Sequence, residues 1–284
     1  MQITIVGNIC IDRNTVEKTQ YVSAGGPAIF MDKVFRATKD VSAIIVAPVG
    51  KDFADFQKDL PIFTQAKLPA KTLVYENVVT NGKRVQKAHN RKFAKPLALT
   101  KELTTLLAKT DILLFSPLLP NVAPAYVKTL VALTKKSCLK VLLPQGYYRK
   151  FDKENIVHVR KFVEAPQILP LFNIVIFSEE DTKNAKQTAQ KWAATYDVLC
   201  LVTTGKNGAM AFTKNKEVIL PTHPVDTTEI VDSTGSGDIF SACFAYCYKK
   251  TGDMQKSGAF ANTIARQCLF FSPDTIQINL PKID

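Results

Sequence analysis

Short runs of aliphatic and β-branched residues alternate along this chain with amphipathic stretches of helix length. That alternation limits the available folds more than any other feature of the sequence. Strands are predicted at 3–6, 43–47, 112–115, 140–143, 174–177 and 198–202, and helices near 28–38, 101–109, 123–135 and 180–195. Strands separated by helices form βαβ units, which set the strands parallel in one sheet and the helices on both of its faces. Two strongly apolar helices, near 237–250 and 257–271, close the last third and should be largely buried. The fold class is therefore α/β, in three layers, with a mostly parallel central sheet.

Two segments break the alternation. Residues 13–24 (RNTVEKTQYVSA) are polar, and residues 70–91 read as a hairpin with Asn81-Gly82 at its turn. Extra strands leaving a parallel sheet near its start are placed here as a small β lid over a site. With no internal repeat, low-complexity tract or linker, the 284 residues read as a single domain, 1–284, carrying that lid.

Composition removes several classes of function. The chain is 46% hydrophobic and 22% charged, as an ordinary globular protein is. It holds no run of about 18 apolar residues, so no membrane is expected. Its first residues, MQITIVGNICID, read as a strand rather than a leader, which implies a cytoplasmic location. The six scattered cysteines are read as core thiols in a reducing compartment. A metal pair at Cys243 and Cys247, one helical turn apart, is the alternative. The formal charge of +12 is spread along the chain without a nucleic-acid-binding motif. A basic surface that attracts anionic nucleotides explains it, and no nucleic acid is expected as a partner.

The chemistry is concentrated in Asp232-Ser-Thr-Gly-Ser-Gly-Asp238, which runs directly into the apolar stretch IFSACFAYCY. Gly235, Ser236 and Gly237 allow backbone N–H groups to converge as a nest, and the helix that follows adds its positive end. Asp238 then stands at the mouth of an anion hole, where a carboxylate can take a proton from a nucleophile. Phosphoryl transfer needs both parts, a cradle for the moving charge and a base on the attacking hydroxyl. The plainer alternative is a helix N-terminus with Asp238 as its cap.

This stretch resembles the D-T-x-G-A-G-D signature of the ribokinase-like (PfkB) family of carbohydrate kinases, and the likeness continues in the family's order. Gly7-Asn8-Ile9 and Asp12 resemble its strand-one segment, Gly25-Gly26 its glycine pair, and Val49-Gly50-Lys51-Asp52-Phe53 its V-G-x-D-x-F turn, with Ala54 where a glycine usually follows. Thr203-Thr204-Gly205-Lys206-Asn207-Gly208-Ala209 matches its T-x-G-x-x-G-A turn. The resemblance implies a ribokinase-like fold and transfer of the γ-phosphoryl of ATP to an alcohol group of a small sugar, cyclitol or nucleoside. It implies Asp238 as base, with Gly235, Ser236 and Gly237 as the anion hole. Substrate falls to Asn8, Asp12, Gly25 and Gly26, and nucleotide to Ser178, Thr203, Gly205, Gly208 and Asn262. Mg²⁺ falls to Glu180 and Asp181, and a monovalent cation such as K⁺ to Asp232. Family lids also pair between subunits, so a homodimer is a possible assembly.

Some positions depart from the family pattern. Its N-x-x-E motif appears as Ser178-Glu179-Glu180-Asp181, which keeps a carboxylate but loses the asparagine; Ser178 also reads as a helix N-cap. The glycine pair is followed by Pro27-Ala-Ile-Phe30, and Phe30 replaces the asparagine that contacts substrate in ribokinase. Gln145 and Arg149, leaving a predicted strand end, are candidates for substrate or phosphate, or for a structural turn. Asn262 reads equally as a helix–helix hydrogen bond, and Asp12 as the cap of its own turn. A ligand-sensing relative without turnover is the alternative function.

Overall fold

The computed structural model describes residues 1–39, 41–56, 59–63, 69–80 and 83–283. Eight strands form the main sheet in the order β14-β13-β12-β11-β8-β7-β1-β4. β1 (Gln2–Gly7), β4 (Ser42–Val46), β7 (Ile112–Ser116), β8 (Leu139–Leu142), β11 (Ile174–Ser178) and β12 (Leu199–Thr203) run parallel. The antiparallel pair β13 (Ala209–Phe212) and β14 (Glu217–Leu220) extends one edge. The sheet is thus mixed but mostly parallel, as the alternation implies.

Strand alternation divides the core in two. In β7, Ile112 and Leu114 face one side, while Leu113 and Phe115 face the other. The first side packs on α1 (Pro27–Arg36), α6 (Ser236–Thr251) and α7 (Met254–Cys268). The second packs on α2 (Lys101–Ala108), α3 (Pro124–Ala132), α4 (Ala165–Ile168) and α5 (Ala185–Tyr196). α6 buries every residue from Ile239 to Cys247, since it is apolar around its whole circumference and lies between α1 and α7. All six cysteines are free and buried, two of them, Cys243 and Cys247, at 0% exposure in this helix.

A second sheet of four strands, in the order β3-β2-β5-β6, is built from β2 (Cys10–Val16), β3 (Thr19–Gly25), β5 (Leu73–Thr80) and β6 (Lys83–His89). Both segments that break the alternation supply it. The Asn81-Gly82 turn lies outside the described residues. β9 (Arg149–Phe151) and β10 (Val157–Val159) make a short hairpin beside β6. No described helix is long and apolar enough to cross a membrane.

Helix limits differ from expectation at two places. The helix expected at 180 begins at Ala185, because Asp181 and Ser178 close a turn first: the Ser178 N–H donates to Asp181 Oδ2 at 2.9 Å. The last helix begins at Met254 rather than 257, where the Asp253 side chain accepts from Lys256 N–H at 3.0 Å.

Candidate active site

The parallel strands aim their carboxyl ends at one cleft of about 430 Å³. Its floor is the start of α6. Gly235 precedes the helix with φ 81°, a left-handed conformation that an L side chain adopts only with strain. A side chain there would also overlap the ring of Phe30, which is 3% exposed and packs against the loop from α1. Phe30 therefore serves as the wall behind the glycine. The first helical bond runs from Ile239 N–H to Gly235 O at 2.9 Å. This leaves the Gly237 and Asp238 N–H groups at the positive helix end without a backbone acceptor among the described residues. Ser236 differs from expectation, since its N–H donates to Ser233 O at 3.2 Å.

Asp238 lies in the first turn of α6, half-buried and open to the cleft through one side. The protein around it strips water from the carboxyl and pushes its pKa up to about 7. The Arg149 guanidinium opposes that rise, and the Asp181 and Asp12 carboxylates add to it. Asp238 does not cap the helix: no side chain caps α6.

Asp12 faces Asp238's end of the cleft from β2 of the small sheet. It pairs in register with Ser23 and Tyr75, and Cys10 Sγ donates to its Oδ1 at 3.3 Å. A side chain at Gly25 would overlap the Asp12 carboxylate, so that glycine makes room for the acid rather than for ligand. Arg149 crosses from the main body, donating from Nη1 to Tyr75 Oη at 2.8 Å and to Leu118 O at 3.3 Å. Tyr75 Oη in turn donates to Leu118 O at 2.9 Å.

The other end of the cleft is lined by Ser178, Glu180, Thr203, Gly205, Gly208 and Asn262. Glu180 N–H donates to Ser178 Oγ at 3.2 Å, a turn contact and not a helix cap. Asn262 spans helix and sheet, donating to Leu220 O at 2.8 Å and Pro221 O at 3.0 Å. Burial raises the Asp181 pKa, against the Ser178 N–H and Arg149.

Most of the expected residues meet in this one cleft, but four do not line it. Asn8 is 4% exposed and its Oδ1 accepts from Leu118 N–H at 2.9 Å, holding the loop after β7. Gly25 packs against the Asp12 carboxylate, Asp181 Oδ2 accepts from Ser178 N–H at 2.9 Å, and Asp232 Oδ1 accepts from Thr234 N–H at 2.7 Å. Sequence reasoning missed Tyr75 and Gln86, which line the cleft from β5 and β6. Their alternation with Glu76 and Lys87 was visible, but only strand pairing tells which set faces inward.

Fold and cleft together define a three-layer α/β protein of the ribokinase-like class, and solved structures share that fold. A pyrophosphate-dependent kinase of the ribokinase family, solved with sulfate, superposes with a TM-score of 0.74 at 16% identity, covering 93% of each chain. The nucleoside kinase of Methanocaldococcus jannaschii superposes with a TM-score of 0.71 at 17% identity, over 98% of this chain and 95% of that one. The chain belongs to the pfkB family of carbohydrate kinases, whose family model matches residues 14–273. Among curated relatives, the ribokinase of Bacillus subtilis (strain 168) is 37% identical over 78 residues, 28% of this chain and 26% of that protein. The match thus spans about a quarter of that relative's length.

Proposed function

We propose that the protein transfers the γ-phosphoryl group of ATP to an alcohol group of a small sugar, cyclitol or nucleoside, with Asp238 as the general base. The observation that carries this reading is Asp238 itself. It is a carboxyl raised to about 7, in the first turn of a helix whose free N–H groups face the same cleft. Near neutral pH such a group can accept the acceptor's proton and is still basic enough to hold it. The Gly237 and Asp238 N–H groups and the positive end of α6 would meet the charge on the moving phosphoryl. Asp12 would orient acceptor hydroxyls opposite the base. The donor would lie toward Thr203, Gly205 and Gly208, and the small sheet would act as a lid that excludes water. One domain with this lid accounts for every element described.

Mg²⁺ fits this donor set in one way only. No group of three or more possible metal-holding side chains occurs among the described residues, so the ion would arrive on the donor phosphates with its waters. Glu180, on the cleft wall, would contact that complex, and Asp181 would act through the Ser178 turn. Bound there, the ion would neutralise phosphate charge. K⁺ would lie near Asp232, whose carboxylate also meets the Tyr21 hydroxyl.

The test incubates the protein with Mg²⁺, a panel of sugars, cyclitols and nucleosides, and either ATP or pyrophosphate. Products are identified by ³¹P NMR and mass spectrometry. A phosphate monoester formed from ATP supports the reading. A monoester formed from pyrophosphate alone corrects the donor, and no phosphorylated acceptor from either donor refutes it.

A further inference from the structure

The inner face of the small sheet carries a feature that the family signature leaves unassigned. Cross-strand register puts Asn14, Asn77 and Gln86 in one row on the same face as Asp12 and Tyr75. The row is a continuous amide chain: Gln86 Nε2 donates to Asn77 Oδ1 at 2.7 Å, and Asn77 Nδ2 donates to Asn14 Oδ1 at 2.9 Å. Asn77, at the centre, is 7% exposed, whereas Gln86 reaches the cleft wall. With Nε2 committed to Asn77, the Gln86 amide can turn its Oε1 acceptor toward the cleft in a fixed orientation. A partly buried chain of this kind polarises and rigidifies its terminal group.

We propose that the Gln86–Asn77–Asn14 chain is the specificity element of the acceptor pocket, selecting an uncharged polyhydroxylated acceptor, a sugar or cyclitol, over a nucleoside. The inference rests on the reading of this cleft as a kinase acceptor pocket. Three further observations favour it. Of the two inward rows, Ser23–Asp12–Tyr75–Ala88 and Tyr21–Asn14–Asn77–Gln86, the side chains that line the cleft are Asp12, Tyr75 and Gln86, all hydrogen-bonding groups that suit hydroxyls. The aromatic rings that line the cleft, Phe30, Tyr75 and Phe240, are only 3%, 2% and 3% exposed, and the Arg149 guanidinium stands 4.9 Å from the Tyr75 ring centre. None presents a free face on which a nucleobase could stack. Finally, two carboxylates, Asp12 and Asp181, stand against the single Arg149 in the surroundings of Asp238, which favours an uncharged acceptor over an acidic one.

A pocket that pairs its polar groups with substrate hydroxyls rejects ligands that leave those groups unpaired. The test is calorimetric titration of the full chain with myo-inositol, D-ribose, adenosine and D-ribose 5-phosphate, so binding is read whether or not turnover occurs. The expected result is saturable binding of myo-inositol or ribose, tighter than adenosine and ribose 5-phosphate by about 10-fold or more. Gln86→Leu should weaken polyol binding by about 10–100-fold, the loss when a polar contact is left unpaired. It also removes a donor from Asn77 Oδ1 and should lower the melting temperature, so it is titrated at a temperature where the variant is folded. Gln86→Glu, which keeps the acceptor, should retain part of that affinity. Preferred binding of adenosine or ribose 5-phosphate, absence of polyol binding, or a Gln86→Leu variant that binds polyol as the wild type does would each overturn the proposal. Absence of phosphorylated product alongside selective polyol binding would instead refute the kinase reading, and with it the acceptor role, while leaving Gln86 as the selector of a polyol-binding pocket.

Discussion

Asp238 is held with a proton that leaves near pH 7, and its surroundings say how activity should follow pH. As a base it works only when ionised, so kcat/KM should rise about 10-fold per pH unit below 7 and level off above it. Arg149 pulls the Asp238 pKa down, so Arg149→Met should move the midpoint of that profile to higher pH. A profile flat from pH 5.5 to 8.5 would contradict both statements. The stability linkage has the opposite sense. The folded chain holds this proton more tightly than the unfolded chain, so the contribution is full below about pH 4 and is lost as pH rises through 7. At this scale the sequence showed much of the site, because the anion loop is a local backbone device written in Gly235 and Gly237. Phe30 was legible only as a missing hydrogen bond; its use as a wall behind Gly235 depends on α1 packing against α6, a long-range fact.

Among elements, a small set of polar ties joins the turn after β4 to the chain that enters β5. Asp52 Oδ1 accepts from Thr72 N–H at 2.8 Å and from Thr72 Oγ1 at 2.7 Å, and Gly50 N–H donates to Thr72 Oγ1 at 2.9 Å. The Val49–Phe53 motif thus anchors the chain where it enters β5, which explains it without a ligand. Asp52→Ala should cost about 1–3 kcal/mol, since it leaves the Thr72 donors unpaired, while Asp52→Asn should lose less. Urea unfolding of both variants measures this, and an alanine variant as stable as the wild type would show that the tie carries no weight. The elements themselves were unevenly legible. Central strands such as β7 announce themselves as unbroken apolar runs because both faces are buried. β13, β14, β9 and β10 are three or four residues long and escaped a reading based on periodicity. α5 begins at Ala185 because the 178–181 turn uses side chains that mimic a helix start.

At the scale of the whole molecule, a main sheet and a smaller one meet over one cleft, and the reading that unites them is phosphoryl transfer with Asp238 as base. Asp238→Asn removes the base while keeping its size. No side chain caps α6, so the fold does not depend on this carboxylate, and a group that strains the fold when ionised has been neutralised. The decisive measurement is kcat, donor affinity and melting temperature of the Asp238→Asn variant at pH 8, on one preparation beside the wild type. The account predicts a kcat lower by about 10²–10⁴-fold, donor affinity unchanged or improved, and a melting temperature equal to or above that of the wild type. Near-normal turnover, or a loss of activity that tracks a loss of folded protein, would contradict it.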